Sequence, residues 1–179
     1  MSRWKLSAVA LLAATLALTP GPAMAQRAAV TDPAGDAAGR GLDFTRVSVA
    51  NRDHRIVVRA RFVQARRGDL IVSIDPRGAS GVRLISEYRP NGTTTNYVAP
   101  GAFTARTAGP PTVACPRFTV VWRPARDLAR MTMPSKCLHG GDYGAVRFAF
   151  LSERSGGDTD YGPATQDGEL GSSRFIPRG

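Results

Sequence analysis

The chain has 179 residues, of which 24 are Lys or Arg and 14 are Asp or Glu, for a formal net charge of +10; it holds two cysteines and two histidines. That length suits one domain, and no internal repeat or low-complexity array interrupts it. Two cysteines exclude the two-disulfide framework of the small secreted subtilisin inhibitors, which needs four.

The first element is a leader. Arg3 and Lys5 precede an uncharged run from Leu6 to Thr19, followed by Ala23-Met24-Ala25. A short apolar run between a basic start and a small-x-small triplet is the pattern of a secretory signal peptide, and the run is too short to span a bilayer as a helix. Residues 1–25 are therefore expected to be removed, leaving 26–179 as a single domain, secreted and without a membrane span. Losing Arg3 and Lys5 leaves 22 basic against 14 acidic residues, still strongly basic. Such a charge draws a protein toward polyanions such as wall polymers, acidic polysaccharides or DNA. Nearly all the cations are arginines scattered along the chain, and no basic helix or aromatic-interleaved basic strand marks a dedicated nucleic-acid surface.

Next comes TDPAGDAAGRGLDFTRVSV, Thr31 to Val49, which sets Asp32, Asp36 and Asp43 among glycines. From Asp43 onward the residues alternate with a period of two, as half-buried strands do. Ile56, Val58, Ala60 and Phe62 form one apolar face; Leu70, Val72 and Ile74 form another; Phe118, Val120 and Trp122 a third; and Val146, Phe148 and Phe150 a fourth. Turn-forming clusters separate them, among them Asn51-Arg52-Asp53, Pro90-Asn91-Gly92 and His139-Gly140-Gly141-Asp142. The Arg67-Gly68-Asp69 tripeptide reads as a hairpin turn and carries no function. Pro134 to Leu138 reads as a helical turn, while Ala105 to Cys115 and the tail after Glu153 read as long loops. No stretch carries a sustained helical stripe, which excludes parallel α/β architectures. The expected fold is all-β: a single, monomeric, two-sheet antiparallel β-sandwich of eight or nine strands. Cys115 and Cys137 are expected to form one disulfide, stabilising it by roughly 3 kcal/mol.

The segments DPAGD, LDFTRVSVAN and IVVRARF, with the later V-x-W-R and P-x-x-C-L, resemble a group of small secreted actinobacterial proteins of unassigned function. More distantly the chain resembles the β-sandwiches related to carbohydrate-binding module family 9 and the DOMON domains. That resemblance implies a sandwich and permits sugar binding.

Three chemistries follow from the residues. Asp32 and Asp36, with Asp158 and Asp160 near the other end of the chain, offer the closely spaced oxygens that Ca²⁺ takes. Strands at the two ends of a sandwich chain are often neighbours, so the acidic segments are expected to meet. Turn and capping roles account for the same aspartates, and both readings stay open. An EF-hand is excluded, because Asp158, Asp160 and Glu169 fit its spacing but Pro163 takes the place of its flexible glycine. Tyr88 and Tyr97 become diagonal neighbours if Asn91-Gly92 is a two-residue turn, a pair able to stack a sugar or to join the core. For catalysis, His54 and His139 fall in turns and no nucleophile elbow, zinc-binding helix motif or phosphate loop is present. Glu87, Asp75 and Glu153 could form a carboxylate pair for glycan hydrolysis, which is the alternative to the expected function. That expected function is a non-catalytic module binding extracellular or cell-envelope polysaccharide, with a structural Ca²⁺ as its one candidate cofactor.

Overall fold

The computed structural model describes residues 26–37, 42–66, 68–88, 91–103, 112–154 and 158–179, without the side chains of 154, 158 and 159. The expected signal peptide, Arg67 of the turn tripeptide, Pro90, and most of the loop before Cys115 lie outside these residues. Among the described residues the chain forms two five-stranded antiparallel sheets. The strands are β1 Gln26–Thr31, β2 Phe44–Arg52, β3 Arg55–Phe62, β4 Asp69–Pro76, β5 Val82–Tyr88, β6 Thr94–Pro100, β7 Thr119–Arg123, β8 Leu128–Pro134, β9 Val146–Arg154 and β10 Asp158–Gly162. The first sheet runs β1-β2-β3-β8-β7 and the second β10-β9-β4-β5-β6. The chain therefore crosses between sheets three times, after β3, β6 and β8.

The alternating apolar residues of both sheets make the core. Val47, Val49, Ile56, Val58, Met131 and Met133 of the first sheet, and Leu70, Val72, Ile74, Leu84, Phe148 and Phe150 of the second, are almost wholly buried. Phe44 meets Phe150 edge to face at 4.9 Å between centroids, and Phe62 stacks on Trp122 at 5.9 Å. Trp122 thus packs against the core, as its alternating strand predicts. Cys115 and Cys137 form the disulfide, with Cα atoms 5.4 Å apart. It ties the approach to β7 to the 3-10 turn Ser135–Cys137 after β8, where the sequence predicts a helical turn.

Ten strands form where eight or nine are expected, and the two that bound the fold are the ones the pattern hides. In β1 only Ala28 and Val30 face inward, a weak apolar signal. In β10 the inward residue is Asp160, paired with Ser152, so no apolar alternation exists to be read. The tail after Glu153, expected to be a loop, therefore contains an edge strand. The rest of the tail is pinned to the sandwich. Ile176 bridges to Val146, and the amide of buried Asn51 donates to the carbonyls of Gly144 and Ile176 at 3.1 and 3.0 Å.

Candidate metal centre

Edge strands β1 and β10 belong to different sheets, and the acidic residues gather where their ends meet. Asp32 directly follows β1, and its N–H still donates to Thr45 carbonyl at 3.1 Å, extending the β1–β2 ladder by one residue. The chain then reverses through Gly35, whose φ of +92° is a backbone state that glycine adopts without steric cost. Gly35 N–H donates to Asp43 Oδ2 at 2.6 Å, closing the loop and returning Asp36 toward Asp32. From the second sheet, Asp160 projects inward from β10 and is 6% exposed. Its Oδ2 accepts the N–H of Phe44, the first residue of β2, at 2.8 Å. Ser152 beside it donates to the Leu42 carbonyl at 2.6 Å.

One carboxylate oxygen from each of Asp32, Asp36 and Asp160 lies within 4.8 Å of the others. The structure thus unites three of the four aspartates expected to bind Ca²⁺. The side chain of the fourth, Asp158, lies outside the described residues. Asp43 joins the cluster electrostatically. Its Oδ1 and the Oδ2 of Asp32 are both buried and accept no hydrogen bond. Among the described residues no basic side chain stands within ion-pair distance of these carboxylates, whereas Asp75 is paired with Arg147 at 2.7 Å. The acidity responds accordingly. Burial first, then the charges of Asp160, Asp36 and Asp43 and a hydrogen bond with Asp36, push the Asp32 carboxyl up to about 7. Burial, with repulsion from Asp36 and Asp43, raises Asp160 to about 6 despite the N–H groups of Phe44 and Tyr161 that favour its charged form. A proton shared between Asp32 and Asp36 answers this repulsion in part. A hard divalent cation answers it more completely, because it takes several carboxylate oxygens at once.

The tyrosine pair is not formed. In the structure Tyr88 faces Thr94 and Tyr97 faces Ile85, one residue away from the register a two-residue Asn91-Gly92 turn imposes. The loop instead spans 89–93, and Asn91 Oδ1 accepts both the N–H and the hydroxyl of Thr93. A one-residue slip sends a strand's side chains to the opposite face. Tyr88 accordingly shares the inward face of Leu84 and Ser86, and Tyr97 the outward face of Ile85.

The carboxylates considered for catalysis, Asp75, Glu87 and Glu153, share the outward face of the second sheet. Asp75 serves Arg147, and Asp69, expected in a hairpin turn, instead opens β4 after a crossing between sheets and accepts the N–H of Tyr88 at 2.7 Å. His139 Nε2 lies 2.7 Å from the Ser80 carbonyl. No protein-family model matches the chain, and no curated protein is similar to it. The assignment of a role rests on the residues themselves. Among the described residues no helix is long and apolar enough to cross a membrane.

Proposed function

We propose that this protein is a secreted, monomeric, non-catalytic module that binds extracellular or cell-envelope polysaccharide, and that a calcium ion held by Asp32, Asp36 and Asp160 joins its two edge strands. The observation that carries the cation site is the convergence of three carboxylates from both ends of the chain within 4.8 Å, without a basic partner among the described residues. The sequence leader supports export, and the Cys115–Cys137 disulfide suits an oxidising compartment. The net positive charge and the sandwich frame support binding rather than turnover. Calcium here acts structurally: it clamps the loop after β1 onto β10 and so closes the end of the sandwich.

Calorimetric titration with Ca²⁺ tests the site. Heat at a stoichiometry near one ion per chain, lost in Asp36→Asn and kept in Asp75→Asn, is the expected result. No heat, together with an unchanged melting midpoint in EDTA, returns the aspartates to turn chemistry alone. A second reading is favoured by one observation, the carboxyl of Asp32 raised to about 7 beside acidic neighbours. A carboxyl whose pKa is raised beside a second carboxyl group serves general acid catalysis in glycan hydrolases. Release of reducing ends from a polysaccharide, lost in Asp32→Asn and inhibited by Ca²⁺, would establish that reading instead.

A further inference from the structure

The strand register lays out the outward face of the first sheet row by row. One row pairs Arg52 with Arg55. The next crosses all five strands as Arg27, Ala50, Val57, Thr132 and Thr119. A third runs Ala29, Ser48, Arg59, Arg130 and Val121. The last sets Arg46 beside Arg61, with Arg123 beyond Leu128. Eight arginines therefore share one face, and these rows contain no aspartate or glutamate. The second sheet differs in kind. Arg83 and Arg147 on its outward face stand among Asp75, Glu87 and Glu153.

The arginines are ordered around a floor of small residues. Ala50 and Val57 are only 3% and 4% exposed although they face away from the core; arginine stems on both sides are long enough to lie over them. Their row is walled by Arg52 and Arg55 on one side and by Arg59 and Arg130 on the other. Rows are about 7 Å apart at the strand rise, so the walls stand roughly 13 Å from each other at the backbone, and the shallow trough between them runs across the strands. Arg55 and Arg59 are exposed, while Arg52 and Arg130 are half-buried. On each wall one guanidinium has a buried Nε that finds no acceptor, Arg52 on one side and Arg130 on the other. Burial first, then the charges of Arg59, Arg55, Arg123 and Arg52, hold the Arg130 guanidinium below its ordinary pKa. The rows supply cationic donors and no anionic acceptor of their own, so an anionic partner completes the face.

We propose that this arginine face is the docking surface for a linear anionic polysaccharide, which lies along the Ala50–Val57–Thr132 row with its acidic groups held between Arg52 and Arg55 on one side and Arg59 and Arg130 on the other. This inference rests on the extracellular-binding reading and adds the surface and the charge of the ligand. Planar guanidinium forks grip acidic groups in two-point contacts. The rows hold no aromatic side chain on which bases could stack, and no helix or ribbon that could enter a groove, which disfavours nucleic acid. Within these rows Val121 is the one large apolar residue strongly exposed, too little for insertion into a lipid surface.

Retention of the purified protein on immobilised polygalacturonate tests the proposal, beside dextran, duplex DNA and phosphatidylglycerol vesicles, each at about 150 mM salt, where exposed charges are screened within about 8 Å. The protein is expected to bind polygalacturonate. Arg59→Gln with Arg130→Gln is expected to weaken that binding by about ten-fold or more, and Arg77→Gln with Arg174→Gln, which removes the same charge elsewhere, by less than about two-fold. If the first pair lowers the melting midpoint, Arg55→Gln with Arg59→Gln, both exposed, must show the same loss. Equal weakening by the control pair reduces the effect to bulk charge and overturns the proposal. So does tighter binding to DNA or to vesicles than to polygalacturonate. Binding to dextran alone overturns it too but leaves the extracellular-binding reading standing, whereas retention on no polysaccharide removes both.

Discussion

Asp32 is where burial and charge conflict most openly. Its carboxyl titrates near 7 and that of Asp160 near 6, both above the ordinary 3.8. The sign follows from linkage: a carboxyl raised in the folded state contributes stability that is full below about pH 4 and lost as pH rises through about 6 and 7. In EDTA the melting midpoint is therefore expected to fall across that window on account of these groups, and Asp32→Asn should flatten the slope. Calcium at a hundred times its dissociation constant should restore about 2.7 kcal/mol at neutral pH, seen as a higher midpoint. Asn51 illustrates a different residue-level device. Wholly buried, it holds the C-terminal tail through Gly144 and Ile176. Asn51→Ala should cost about 1–3 kcal/mol in urea unfolding, because the tail loses the two side-chain hydrogen bonds that hold Gly144 and Ile176.

The edge strands are tied into the sandwich differently from the central ones. Strand β10 contributes almost no apolar area and instead lies close against β2: a Cβ built on Gly162 would stand 2.7 Å from Phe44 Cζ. Gly162→Ala should thus force Phe44 from its place against Phe150 and destabilise the protein by about 1–3 kcal/mol, measured by thermal or urea unfolding. The disulfide staples the other side of the fold, where the approach to β7 meets the turn after β8. With its cysteines separated by 22 positions in sequence, Cys115→Ser with Cys137→Ser should lose about 3 kcal/mol, or roughly 6–12 °C in midpoint for a chain of this size. A smaller loss would mean that the unfolded chain is already compact in this segment.

Across the molecule, charge is segregated: arginine covers the outside of one sheet, the other sheet carries both signs, and aspartates meet at one end. On the proposals above, the cation and the polyanion would use different residues. Export is the remaining whole-chain expectation. Protein recovered from culture medium should begin at Gln26, the residue at which β1 starts, and should weigh two hydrogens less than its reduced form. A start within β1 would remove inward-facing residues and contradict the proposed cleavage site.

Period-two alternation was enough to show an all-β chain, because a strand with one buried face must place apolar residues at every second position. Cys115 and Cys137 were legible as a pair since nothing else in the chain could partner either. Asp32, Asp36 and Asp160 were visible as candidates from their residue type, and the expectation that strands at the two ends of the chain are neighbours brings them together; that β1 and β10 are edges of different sheets is what no local pattern records. The inward Asp160 even erased the signal of its own strand. Tyr88 and Tyr97 shared a face only under an assumed two-residue turn, and the strands pair one residue away from that register. The arginines looked scattered along the chain for a related reason: residues far apart in sequence become one cationic face only when β1, β2, β3, β8 and β7 are laid side by side, and strand order is settled by packing between the sheets rather than by any single strand.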